Sequence, residues 1–151
     1  MTDNPQPASG VLRGATHLFP VRVYYEDTDL SGIVYHANYL RYMERARSDL
    51  LALLGIDQRA AIEAGEGAYA VAEVQLAYKA PARLGDDLQV ATTSREIRAA
   101  SVRVEQRITR GQQLLSEGML RIGFVAPDGR PRRQPDEWRR RLAAFAHQED
   151  R

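Results

Sequence analysis

Two aspartates, Asp27 and Asp29, stand shortly ahead of a histidine, His36, in the stretch YYEDTDLSGIVYHANYLRYMERAR that runs from Tyr24 to Arg47. A carboxylate can attack a carbonyl carbon directly or take a proton from water so that the water attacks. Gly32 lets the backbone bend between the aspartates and the histidine without steric cost. His36 and Asn38 fall where a helix should begin, so free N–H groups and the positive end of the helix dipole point out of the turn. A carboxylate facing such a helix start is the minimum equipment for acyl transfer, because it pairs an attacking group with a sink for the oxyanion. Taken alone, an Asp in a Gly-containing turn more often closes an Asx turn or caps a helix. Asp27 is expected to cap or brace the loop. Asn38 is expected at the N-cap. His36 either positions water and substrate or makes a structural hydrogen bond, and Tyr35 and Tyr39 read as core or pocket wall.

Those residues need a scaffold, and the hydrophobic periodicity predicts one. From His17 to Glu26 apolar residues alternate, with Phe19, Val21, Val23 and Tyr25 on one face, as in a strand. From about Asn38 to Leu54 the apolar positions Tyr39, Met43, Ala46, Leu50 and Leu53 recur at helical spacing, and Gly55 supplies the left-handed stop. A shorter helical stretch follows around residues 57–64, then a break at Gly65 and Gly67. Four strand-like runs come next: Ala68–Lys79, with Ala72, Val74, Leu76 and Tyr78 on one face; Asp87–Arg98; Ser101–Arg110; and Gln112–Val125. The segments PARLGD (81–86) and PDGRP (127–131) read as turns. Pro135–His147 reads as a closing helix with Trp138, Leu142 and Phe145 on one stripe. Consecutive strands with one long helix predict an α+β domain, an antiparallel sheet of about five strands around a central helix, with a C-terminal helix added. Uncovered sheet faces and edges predict a homo-oligomer. Residues 1–16, polar and rich in Pro, Gly and Ala, are expected to be a disordered tail, and 17–147 a single domain.

Composition narrows the chemistry. The chain has 151 residues and a formal net charge of +1, which argues against a nucleic-acid surface. It has no cysteine, so disulfides, Cys-ligated zinc and a thiol nucleophile are excluded, and a reducing, cytoplasmic setting fits. There is no basic and apolar leader and no apolar run of membrane-spanning length, so at most peripheral membrane contact is expected. The three histidines, His17, His36 and His147, lack metal-ligand spacing, and no cofactor is called for. Neither GxSxG nor a Gly-rich phosphate loop is present, which removes an α/β-hydrolase and an NTPase. Six arginines lie between Arg130 and Arg141. They read as a solvated helix end, or as a surface that attracts an anionic partner such as a phosphate group or anionic lipid.

The run Tyr25-Glu26-Asp27-Thr28-Asp29-Leu30-Ser31-Gly32-Ile33-Val34-Tyr35-His36-Ala37-Asn38-Tyr39, followed by Glu44-Arg45-Ala46-Arg47, resembles the hotdog-fold acyl-CoA thioesterases of the 4-hydroxybenzoyl-CoA thioesterase type. The turn from Tyr78 to Asp86 is similar to that family's as well, and the likeness spans roughly residues 18–130. Within the family, Tyr-His-x-x-Tyr at Tyr35–Tyr39 is similar to the subgroup encoded beside the Tol–Pal envelope genes and weakens an aromatic-acyl assignment. The resemblance implies hydrolysis of acyl-CoA, or of acyl carrier protein thioesters, with Asp29 as catalytic carboxylate and a backbone N–H at or near His36 as oxyanion donor. It implies Gly32, Val34, Tyr35, Asn38 and Tyr39 around the substrate, and dimers or tetramers with sites built between subunits. Lys79, Arg83, Arg95 and Arg98 are candidates for the CoA phosphates. Two other readings stay open: a hydroxyacyl-thioester dehydratase using His36 and Glu44, and a non-catalytic acyl-thioester binding protein.

Overall fold

A computed structural model describes residues 3–148. Six strands form one antiparallel sheet: β1 (Val11–Arg13), β2 (Thr16–Arg22), β3 (Ala68–Tyr78), β4 (Asp87–Ile97), β5 (Ser101–Arg110) and β6 (Gln113–Val125), in the spatial order β1-β2-β4-β5-β6-β3. Three helices accompany it: α1 (Asn38–Leu53), α2 (Gln58–Glu63) and α3 (Asp136–Ala146). One strand more is present than the periodicity predicts. It is β1, which pairs with β2 inside the stretch expected to be disordered. Met1 and Thr2, also assigned to that tail, lie outside the described residues.

What brings this polar segment to order is a single carboxylate. Asp49, on α1, accepts from the Ser9 hydroxyl and the Gly10 N–H, both at 2.8 Å, and pairs with the fully buried His17 ring at 2.8 Å. A Cβ at position 10 would collide with the Leu18 carbonyl and the His17 ring, so only glycine lets the chain pass. Burial pushes the Asp49 carboxyl up, but the hydrogen bonds from His17, Ser9 and Gly10 outweigh it and hold it below the usual carboxylate value. A lowered folded-state pKa contributes stability above the unfolded value of about 4, and that stability is lost as pH falls through the folded one. The N-terminal clip should therefore open on acidification. Amide exchange at Gly10 and the β1 residues is expected to accelerate below about pH 4, and Asp49→Asn should move that opening to neutral pH.

The long helix forms where its stripe predicts, with one shift. Tyr39, Met43, Ala46 and Leu50 are buried as expected, while Leu53 is 43 % exposed and Tyr42 takes its place in the core. The helix closes in a Schellman pattern: the Gly55 N–H donates to Ala52 O and the Ile56 N–H to Leu51 O. Arg141 of α3 adds a bond to Leu54 O at 2.9 Å, tying the two helices together.

The sheet's inner face packs on α1 through Val90, Val102, Val104, Ile108, Leu120 and Ile122. Gln106 sits among them, completely buried. Its carboxamide oxygen accepts from Arg47 at 3.0 Å, and its nitrogen donates to Met43 O at 2.9 Å and Thr92 Oγ1 at 3.0 Å. Strand β3 lies at the far edge. Its register shifts between Val71 and Glu73, leaving Ala72 as an extra residue. Val71 then stands opposite Ile122 and Val74 opposite Leu120, so Val71, not Ala72 as alternation predicts, joins the inner face. Both remain open, at 45 % and 39 % exposure.

Candidate active site

The predicted first strand stops early. β2 ends at Arg22, and Tyr25–Asp27 forms one 3-10 turn, which leaves Tyr25 81 % exposed rather than on the core face. The cause is Asp27. Its carboxylate accepts the Tyr24 N–H at 2.9 Å and curls the chain back on itself. Its carbonyl then takes two donors, the Tyr35 N–H at 2.9 Å and the Asn38 side chain at 2.8 Å. Asn38 is thus not the N-cap of α1. It occupies the first helical position behind Ala37, because its amide is drawn to the Asp27 carbonyl. Asp27 serves as the loop's brace.

Asp29 has the opposite character. Its side chain is exposed and accepts from the Ser31 N–H at 2.8 Å and the Ser31 hydroxyl at 2.5 Å. Those two bonds favour the ionised form and hold the carboxyl below its ordinary range, so it is an anion at neutral pH. The loop's backbone is fixed from beneath. The Asp29 N–H donates to Ile33 O, the Gly32 N–H to Asp29 O, and Gly32 adopts φ +80°. Val34 is buried and donates to Ala82 O, while Leu84 donates to Gly32 O. The 78–86 turn therefore supports the Asp29 loop, with Ile33 bridged to Arg83.

The ring of His36 is exposed and packs on Tyr35 at 4.4 Å, with Tyr78 edge-on at 6.5 Å. The Tyr78 hydroxyl donates to the His36 carbonyl at 2.7 Å, pinning the residue at the mouth of α1. Among the described residues, the N–H groups of His36 and Ala37 meet no backbone or side-chain acceptor. They are the free donors that a helix start offers. Tyr39 is buried, and its hydroxyl oxygen accepts the Ala82 N–H at 2.9 Å, so it braces the turn from the core. Tyr42, which sequence reasoning passed over, lies fully buried beside it. Burial, with the nearby Asp27 carboxylate, pushes its phenol up.

Of the four basic candidates, Lys79 and Arg83 border this loop. Arg95 and Arg98 lie towards the opposite end of the sheet, each against a carboxylate, Glu105 and Glu96. In the arginine-rich tail Arg140 and Arg141 pair with Glu137, and Arg132 donates to the Gly65 and Glu66 carbonyls. Glu44 is exposed on α1 eight residues beyond His36, about 12 Å at helical rise, which keeps the two apart within one chain.

An apolar cavity of about 140 Å³ lies elsewhere, against the C-terminal half of α1, and includes neither Asp29 nor His36. Within one chain the Asp29–His36 loop and the cavity are thus separate.

Against known proteins, residues 23–145 match the model of the thioesterase-like superfamily. The acyl-CoA thioesterase YbgC of Haemophilus influenzae is 41% identical over 107 residues, covering 71% of this chain and 79% of that protein. Its namesake from Helicobacter pylori is 42% identical over 113 residues, covering 69% and 82%. Among solved structures, a probable thioesterase from Bartonella henselae superposes with a TM-score of 0.76 at 33% identity, covering 80% of this chain and all of that one.

Proposed function

Since the chain belongs to the thioesterase-like superfamily and is an acyl-CoA thioester hydrolase, we propose that Asp29 is its catalytic carboxylate and that the His36 and Ala37 N–H groups are its oxyanion donors. The observation that carries this reading is the pairing of an exposed, ionised Asp29 with unengaged donors at the start of α1. Asp29 attacks the thioester carbonyl, or takes the proton of a water that does. The carbonyl oxygen becomes an oxyanion held by the N–H groups, and collapse expels CoA as a thiolate. Where water attacked, this leaves the free acid; where Asp29 attacked, it leaves a mixed anhydride that a water then hydrolyses to the acid and the free carboxylate. A thiolate leaves readily, so no strong general acid is needed. His36 orients the acyl group or the water. Gly32, Tyr35 and Asn38 shape the loop around the substrate, with Val34 and Tyr39 as its floor.

The substrate is an acyl-CoA, with acyl carrier protein as a second carrier of the same thioester, and the place of action is the cytoplasm. His36 within Tyr-His-x-x-Tyr supports kinship with the Tol–Pal-associated subgroup. The CoA phosphates are assigned to Lys79 and Arg83, the two basic candidates beside the loop.

The working unit is a homodimer formed along β3. This edge strand runs eleven residues, and no strand pairs with its outer side among the described residues. Val71 and Val74 lie open on its inner face. Such an edge invites a second strand. Pairing β3 with its own copy in antiparallel register places the Tyr78 end of one protomer, which carries the His36 loop, beside the Ala68–Val71 end of the other. Introducing Asp at both positions, Val71→Asp with Val74→Asp, puts charge on that face. The double variant is expected to fold but to run as a monomer in light scattering, with turnover of acyl-CoA reduced at least tenfold. A dimer of unchanged mass and activity would remove β3 as the interface.

A further inference from the structure

Each free N–H at the start of α1 shares a peptide plane with a carbonyl on its other side. In a trans peptide the two point in opposite directions, so a bond that fixes the carbonyl also fixes where the N–H aims. The His36 N–H shares its plane with the Tyr35 carbonyl, which accepts the Asn38 N–H at 2.8 Å within the same turn. The Ala37 N–H shares its plane with the His36 carbonyl, which accepts the Tyr78 hydroxyl at 2.7 Å. One plane is thus held locally, and the other by a side chain 42 residues away.

The phenol is itself held in place. Tyr78 ends β3 opposite Ser116 of β6. Just beyond it, the Lys79 and Ala80 N–H groups both donate to Leu115 O, at 2.8 and 3.1 Å. The Tyr78 ring meets the buried Tyr39 ring edge-on at 5.3 Å, and Tyr39 is locked in turn by the Ala82 N–H. Burial, with Tyr39 nearby, pushes the Tyr78 phenol up, so the hydroxyl keeps its proton and remains a donor at neutral pH. A donor on the carbonyl also polarises the amide and strengthens the N–H at its far end.

We propose that Tyr78 is a positioning residue for hydrolysis: through the His36 carbonyl, its hydroxyl aims and strengthens the Ala37 N–H that holds the oxyanion. The inference rests on the reading of Asp29 and the α1 donors given above, and adds to it a residue of the sheet outside the Asp27–His36 loop. Its effect falls on the transition state, because the full charge on the carbonyl oxygen develops only there. It should therefore appear in kcat and not in KM.

Tyr78→Phe keeps the ring and deletes only the hydroxyl. In the full-length protein, kcat for acyl-CoA should fall about tenfold with KM within about twofold. That is less than the 10²–10³-fold of losing an oxyanion donor outright, because the His36 plane keeps its own bond. Tyr78 is half exposed, so the unfolding temperature should stay within about 3 °C of wild type. A spectroscopic readout separates aim from stability. A hydrogen bond on a carbonyl deshields the nitrogen of the same peptide, so the Ala37 ¹⁵N resonance should move upfield in the variant and that of His36 much less. Unchanged kcat, a loss carried by KM, a variant that fails to fold, or an Ala37 resonance that stays in place would each overturn the role of Tyr78. Asp29→Asn is assayed alongside. Hydrolysis lost there but intact in Tyr78→Phe removes only this inference, whereas full hydrolysis in Asp29→Asn removes the catalytic reading beneath it.

Discussion

Asp29→Asn is expected to cut kcat for acyl-CoA hydrolysis by about 10²–10⁴-fold, the usual worth of a positioned base, and by no less if Asp29 is the nucleophile. The fold should not notice. The side chain is exposed, and an Asn oxygen can accept the same Ser31 hydroxyl and N–H, so the turn survives the exchange. Thiol release measured beside thermal unfolding checks both halves at once. Glu44→Gln is the matching control. Glu44 is exposed on α1 and lines the cavity rather than the loop of its own chain, and Gln keeps its shape, so the exchange should leave hydrolysis within a few-fold of wild type. Turnover that survives in Asp29→Asn and collapses in Glu44→Gln would transfer the chemistry to a helix glutamate and revive a dehydratase-like site. The pH profile follows from the same geometry. Ser31 holds the Asp29 carboxyl below its ordinary value, and the charged form is the one the proposed mechanism uses. Activity should therefore show no loss on its acid side until pH drops below about 4. Ser31→Ala should carry that limb upward.

The second large effect concerns stability. Gln106→Leu keeps volume but removes every polar contact of a fully buried side chain, leaving Arg47 and Thr92 without it. Arg47 pays most. Burial already lowers its pKa, with Glu44 nearby opposing that, and Gln106 accepts from its guanidinium inside the protein. Stranding a half-buried charge and a buried hydroxyl should destabilise the fold by about 2–4 kcal/mol. At this chain length that is a fall of roughly 5–15 °C in Tm. A double-mutant cycle separates network from packing. Thr92→Val should cost less in the Gln106→Leu background than alone, because its hydroxyl has already lost the carboxamide. Additive costs would mean that the 3.0 Å contact between Thr92 and Gln106 carries no energy.

The sequence by itself determined the elements and singled out the Asp27–His36 loop as the candidate site. Alternation, helical spacing and the stops at Gly55 and Pro135 depend only on neighbours along the chain. They placed α1, β5 and α3 within a residue or two of where they stand. The motif from Tyr25 to Tyr39 pointed to the family in the same local way. Local signals also misled where a distant group outcompeted them. Tyr25 alternates like a strand residue, yet Asp27 folds the chain back beneath it. Asn38 looks like an N-cap, yet the Asp27 carbonyl claims its side chain. The N-terminal stretch looks disordered, yet Asp49, 39 residues away, orders Gly10.

Tertiary structure alone decided the division of labour between Asp27 as brace and Asp29 as free anion, since that turns on which donors come within reach. It alone set the bond between Arg47 and Gln106, 59 residues apart. It alone moved Val71 to the inner face through a one-residue bulge. The cavity is the extreme case. Its walls come from α1, α2, α3, β3, β5 and β6, and its volume is a small remainder left when these elements pack. Periodicity says which face of each element turns inward. How much space is left between those faces depends on register, helix tilt and side-chain volumes acting together, and no single stretch of the chain contains that information.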